Sequence, residues 1–177
     1  MGQIILVLLS EINEHTLEVL KQSLEQTFNR MVETRAKIRS LDYAYDPSRN
    51  QYISPRLLSR LRRIKKGSGD KILGIVYVDL YSPEFDFVFG EAEIGSGVAT
   101  VSLYRLLPER YSLRPNRKVL EERTVKEAVH ELGHLYHLGH CLNPKCVMHF
   151  STSLVDIGKK GKTFCSKCQK ELKKNTV

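Results

Sequence analysis

The chain has 177 residues, 41% of them hydrophobic and 27% charged, with a formal net charge of +8. That length and composition suit one well-buried globular domain and are short for two. No apolar run approaches the roughly 20 residues that a membrane-spanning helix needs, and neither repeats nor low-complexity segments occur.

Residues 3–9 predict a buried strand around the apolar run Ile4 to Leu9. The run has no basic residue before it and no small-residue cleavage site after it, so an export signal is not expected and a cytoplasmic location is. Asn13 predicts the start of a helix to about residue 29, with Leu17, Leu20, Leu24 and Phe28 at helical spacing. Residues 35–45 read as a strand. Ser54-Pro55 opens a helix that Gly67-Ser68-Gly69 ends. It carries Arg56, Arg60, Arg62, Arg63, Lys65 and Lys66, which invites a nucleic-acid reading. Leu57, Leu58, Leu61 and Ile64 give the same helix an apolar stripe, which makes the basic residues the wet face of a packed surface helix. Nucleic acid is therefore not expected as a partner.

Residues 71–80, with Ile75-Val76-Tyr77-Val78 at their centre, are the strongest strand in the chain. Further strands are expected at 85–90 and 98–106, flanking a loop with Gly95 and Gly97. Thr124 is read as the cap of a last long helix, with Glu127 completing a capping box. This order predicts a mixed α/β sheet.

The chemistry concentrates on that helix. Residues four apart share a helix face, so His130 and His134 present both imidazoles to one ion, with Glu131 beside them. A catalytic zinc takes three protein ligands and leaves a position for water, so a third ligand is required nearby. His140 reaches the same ion only if the helix breaks, because six further helical residues would carry it about nine ångströms along the axis at roughly 1.5 Å per residue. Gly139, or a left-handed residue at position 137, would supply the break.

The four cysteines are the whole cysteine complement of the chain. Cys141 and Cys146 form C-x4-C, and Cys165 and Cys168 form C-x2-C. This reads as a tetrahedral four-thiolate zinc site. A disulfide framework is the alternative, and it needs an oxidising compartment. Lys159, Lys160, Lys162, Lys167, Lys170, Lys173 and Lys174 surround the site. They offset the charge that four thiolates leave on a divalent ion, or form a solvated basic tail.

From Thr124 to Leu172 the chain resembles the archaemetzincins, a family of metzincin zinc metalloproteases. The resemblance rests on H-E-x-x-H-x-x-x-x-x-H followed at once by C-x4-C-x-M and then C-x-x-C. It implies His130, His134 and His140 as zinc ligands, Glu131 as general base and Met148 as the methionine of the turn beneath the metal. It also implies a second, structural zinc on Cys141, Cys146, Cys165 and Cys168, hence two zinc ions per chain. The implied fold is a single metalloprotease domain over residues 1–177. Residues 1–137 form an upper sheet and helix half, and residues 138–177 a lower half with the methionine turn and the cysteine site. The cleft between them would hold a peptide or protein substrate along an edge strand near residues 87–94. A monomer is expected.

Two departures stand out. His137 occupies the place of the usual metzincin glycine, and sixteen residues separate Met148 from Cys165 where seventeen are usual. On an unbroken helix His137 would also face the metal. Histidine is among the non-glycine residues enriched at positive φ, so His137 can also take the glycine's backbone conformation and leave the metal to His140. Phe150 stands where some metzincins have a metal-binding tyrosine, and His149 is read as solvent-facing. Val155, Ile157, Phe164 and Leu172 are the expected core of the lower half. The alternative function is a zinc-stabilised binding module for protein or nucleic acid, its histidine site vestigial. Such a module would have no reason to keep Glu131.

Overall fold

In the computed structural model, which describes residues 2–35 and 40–176, five consecutive buried residues form β1 (Ile4–Leu8). The Asn13 side chain then accepts from the His15 and Thr16 N–H groups and starts α1 (Glu14–Phe28), whose buried stripe includes Leu20, Leu24 and Phe28. β2 (Val32–Arg35) follows. The strand expected over 35–45 falls partly on residues 36–39, outside the described residues. On either side of them Arg35 ends β2 and Asp42–Ala44 is a single 3₁₀ turn before β3 (Tyr45–Asp46).

β4 (Gln51–Ile53) runs into α2 (Ser54–Ile64), which has Pro55 in its first turn and Arg62 and Arg63 in its last. There the helix dipole favours positive charge. Leu57, Leu58 and Leu61 are buried, as the stripe requires. The strand expected over 71–80 divides into β5 (Lys71–Val76) and β6 (Leu80–Ser82), which join different sheets. β7 (Phe85–Val88) and β8 (Gly90–Glu93) likewise divide the segment expected at 85–90. β9 (Val98–Ser102) stops short of residue 106 and gives way to 3₁₀ turns.

The last long helix, α3 (Arg117–Leu135), starts seven residues before Thr124. Its cap is Asn116, whose side chain accepts from the Val119 N–H. Thr124 lies inside the helix and donates to the Leu120 carbonyl at 2.8 Å. The S/T-x-x-E pattern there has no helix terminus to satisfy, because Asn116 has already met the first free N–H groups. α4 (Leu154–Lys159) and α5 (Ser166–Asn175) complete the chain.

The fold is mixed α/β. Five strands form one sheet in the order β2-β1-β5-β9-β8, parallel except for β8, which runs antiparallel to β9. Four shorter strands form a second sheet in the order β3-β4-β6-β7. Alternation sorts the large sheet's side chains between two cores. Ile5, Val7, Ile72, Val76 and Val98 pack with α2. Ile4, Leu6, Leu73, Ile75, Ala99 and Val101 face the cluster that holds Leu20 and Leu24 of α1 and Ala128, Val129 and Leu132 of α3. That second face carries the site, and β8 at the end of the sheet borders it. No helix among the described residues is long and apolar enough to cross a membrane.

Two expectations about the C-terminal segment change. Val155 is 63% exposed, and its place in the core is taken by Cys146, Val147 and Met148 beside Ile157, Phe164 and Leu172. Lys160 is no tail lysine: it is 2% exposed, with its ammonium 2.8 Å from the Glu127 carboxylate.

Candidate metal centre and active-site cleft

α3 ends where the chemistry needs it to. His137 has φ 62°, and its N–H donates to the His134 carbonyl at 2.9 Å while the Leu138 N–H donates to the Gly133 carbonyl at 3.0 Å. These two bonds are a Schellman termination with histidine in the position usually taken by glycine. The chain turns there, His137 stays exposed, and His140 swings back toward the helix. Its ring lies 4.8 Å from that of His134 and 5.4 Å from that of His130. The donor atoms of His130, His134 and His140 all lie within 4.8 Å of one another.

Backbone carbonyls orient the first two rings. His130 Nδ1 lies 2.8 Å from the Val147 carbonyl, and His134 Nδ1 lies 2.8 Å from the Leu138 carbonyl. A carbonyl only accepts, so each Nδ1 carries the proton and each Nε2 offers a lone pair. The two Nε2 atoms face each other at 3.1 Å. Two lone pairs at that distance repel, and a cation between them removes the conflict; donors about 2.0–2.1 Å from a tetrahedral zinc would stand roughly 3.3 Å apart. Burial holds the His130 imidazole well below its ordinary pKa, aided by Lys160 and His134. It lowers His134 and His140 in the same direction. All three are thereby kept in the neutral, metal-binding form.

Glu131 shares the cleft. Burial raises its carboxyl well above the usual range, Glu127 adds to the rise and Lys160 opposes it. β8 makes room for it: a Cβ at Gly90 would meet Glu131 Cγ at 2.7 Å and Oε1 at 2.8 Å. Met148 is fully buried, with its sulfur packed against α3 where a Cβ on Gly133 would stand. Phe150 lies against the His140 ring at 4.7 Å between centroids. His149 is half-buried instead of solvent-facing, and its Nδ1 sits 2.9 Å from the Cys141 carbonyl. The cleft has a volume of about 760 Å³ and runs along β7 and β8 past the three histidines to Glu127 and Lys160.

The four cysteines gather separately. Their sulfurs lie within 4.8 Å of one another, and Cys141 and Cys165 Sγ stand 3.8 Å apart. That is far beyond the ~2.05 Å of a disulfide, and it matches the edge of a tetrahedron with metal–sulfur bonds of about 2.3 Å. All four are free thiols. The Cys168 N–H lowers Cys165 to about 7, while burial pushes Cys146 and Cys168 up. A lone buried thiolate is costly here, and a cation shared by four is the arrangement's natural complement.

The sequence reading missed Lys160 and Gly90. Only an i+33 contact reveals the first and only a strand-to-helix approach the second, and neither leaves a local signal.

A long helix broken after its second histidine, with a third returning and a carboxylate at the first, defines a metal-dependent hydrolase site beside a sheet edge. Residues 7–174 match the model of peptidase family M54. An archaemetzincin from Pyrococcus abyssi is 42% identical over 181 residues, covering 99% of this chain and 96% of that one. A zinc-dependent peptidase from Methanocorpusculum labreanum superposes with a TM-score of 0.88 at 35% identity, covering 96% of this chain and 99% of that one. Archaemetzincin from Archaeoglobus fulgidus, solved with malonate, gives 0.81 at 37% identity, again covering 96% and 99%. The chain belongs to peptidase family M54 and is a metallopeptidase of the archaemetzincin type.

Proposed function

We propose that the chain hydrolyses peptide bonds with one zinc held by His130, His134 and His140 and with Glu131 as general base. A second zinc is held by Cys141, Cys146, Cys165 and Cys168. The observation that carries this reading is the convergence of three neutral imidazoles beside a buried carboxylate, in a cleft that runs along a sheet edge. When bound, the histidine-site ion supplies Lewis acidity toward the carbonyl and makes a water acidic.

The chain's own residues do the rest. Glu131, with a carboxyl made basic by burial, takes the proton from the attacking water and delivers it to the leaving amine. β8, the last strand of its sheet, offers unpaired backbone groups to an extended substrate, as in strand addition. Met148 floors the histidines. The cysteine site clips together distant parts of the 138–177 half and closes the loops on which His140 and Met148 ride. Four reduced thiols suit a cytoplasmic compartment.

The test is a peptide-library digest by the zinc-loaded chain with Glu131→Ala as control, alongside elemental analysis. Two zinc ions per chain in both proteins are expected, with turnover lower in the variant by about two to four powers of ten. Full turnover in Glu131→Ala would reject the base, and one zinc or fewer in carefully prepared protein would reject the ligand sets.

A further inference from the structure

The three histidine rings are not held alike. Backbone carbonyls fix His130 and His134 at 2.8 Å each, the support that a metal-binding imidazole usually gains through its second nitrogen. His140 lacks it. That residue stands exposed in irregular chain beyond the helix break, and among the described residues neither of its ring nitrogens has a hydrogen-bond partner from the protein. Its support comes from residues 148–150. The Cys141 N–H donates to the Met148 carbonyl at 2.9 Å, and His149 Nδ1 donates to the Cys141 carbonyl at 2.9 Å. Both polar backbone groups of the residue after His140 are thus gripped by one short segment. The next side chain of that segment, Phe150, lies against the His140 ring itself, with centroids 4.7 Å apart and planes at 50°. Tilted contact at that distance is a favoured arrangement of two aromatic rings.

Core packing does not account for Phe150. It is 46% exposed, belongs to neither hydrophobic cluster, and among the described residues its one aromatic contact is His140. A phenylalanine left half in water forgoes much of the stabilisation that burial would give it. We propose that Phe150 is the positioning residue of the third metal ligand: it holds the His140 imidazole toward His130 and His134 while Met148 and His149 clamp the backbone at Cys141. This deepens the peptidase reading and rests on its histidine-site metal. The physical reason is entropy. An imidazole free to turn about two side-chain bonds has to be stilled when an ion binds, and each side chain immobilised at that moment lowers affinity. Hydrogen bonds to carbonyls have already stilled His130 and His134, and ring contact does the same for His140.

The experiment reads metal affinity directly. Gentle chelation empties the histidine site of the full chain, and zinc is titrated back by calorimetry into the native protein, Phe150→Ala and Phe150→Leu. Phe150→Ala should bind the returning zinc about tenfold more weakly, the low end of the loss that follows removal of a ligand's supporting partner. It should keep its cysteine-site zinc and its melting temperature, because the lost side chain belongs to neither core. Phe150→Leu keeps an apolar contact with His140 and should fall between the two. A side chain that only covered surface would leave all three affinities equal. Native affinity in Phe150→Ala overturns the proposal, because the ring then does not hold His140. A loss accompanied by release of the cysteine-site zinc also overturns it, because the whole segment has then loosened. A native chain that takes up no zinc after chelation is a different failure: it rejects the histidine-site metal, and with it the peptidase reading.

Discussion

The histidine site and the cysteine site are built on opposite plans. Two of the three histidines ride on one 19-residue helix, and backbone carbonyls fix their rings before any ion arrives. Of the cysteines, Cys141 and Cys146 lie in irregular chain, Cys165 immediately precedes α5 and Cys168 lies in its first turn. Packing therefore preorganises the first site, while the second, in the proposed reading, would depend on a shared metal to hold distant loops together. One is open to a cleft and suited to exchange a ligand; the other is closed and suited to stability.

The largest effect that tests this contrast is on folding. Cys165→Ser should lower the melting temperature by roughly 10 °C or more, because a structural zinc contributes several kcal/mol and each kcal/mol moves a chain of this size by about 2–4 °C. His134→Ala should cost less, since α3 keeps its packing. Thermal scans ranking the two the other way would break the comparison.

Next in size is an activity loss without metal loss. Gly90→Ala places a methyl group 2.7 Å from Glu131 Cγ and 2.7 Å from the Thr100 carbonyl, so Glu131, the proposed general base, has to move. Turnover should fall about tenfold to a hundredfold with the zinc content unchanged. A wild-type rate in this variant would mean that the position of Glu131 does not matter.

A smaller effect is set by pH. The native His130 imidazole is held well below 6.5, whereas the unfolded chain takes up that proton at about 6.5. Below that value the unfolded state binds more protons, so protein stripped of its histidine-site metal by gentle chelation should keep this stability above about pH 6.5 and lose it as the pH falls. Denaturant titrations at pH 5.5 and 7.5 check the slope, and a flat profile would contradict the burial argument.

The smallest effect concerns the helix end. His137→Gly removes a left-handed side chain that costs about 1–2 kcal/mol but adds freedom to the unfolded chain worth about 0.5–1 kcal/mol, so a net gain of a few tenths to one kcal/mol is expected. Metal affinity should be unchanged in His137→Gly and lost at the histidine site in His140→Ala. Zinc titration of both variants checks this, and the reverse pattern would reassign the third ligand.

The groupings of candidate ligands were legible in the sequence because they depend on short-range geometry. The i,i+4 spacing of His130 and His134 is a property of any α-helix, and histidine at position 137 left open the break that brings His140 back. The cysteine pairs were legible for a similar reason, since short spacings within each pair constrain how the sulfurs meet. Local signals were less dependable at boundaries. Thr124 and Glu127 carry a capping pattern, yet α3 had already begun at Asn116, and the helix interior left Glu127 for another partner. The long strand expected at residues 71–80 was cut at Val76, where parallel pairing with β9 ends and the chain crosses to the second sheet.

By itself, then, the sequence determined the alternating α/β order, the capped and broken helices and the two groups of metal-binding side chains, all set by chemistry within a few turns of chain. Only the tertiary structure decided that Lys160, spaced like a tail lysine, is enclosed against Glu127, that Gly90 yields its side-chain space to Glu131, and that β8 ends the sheet beside the histidines. Those are contacts between segments remote in sequence. They form because burying the two apolar faces of one sheet leaves few ways to pack what remains, and no local periodicity encodes that constraint.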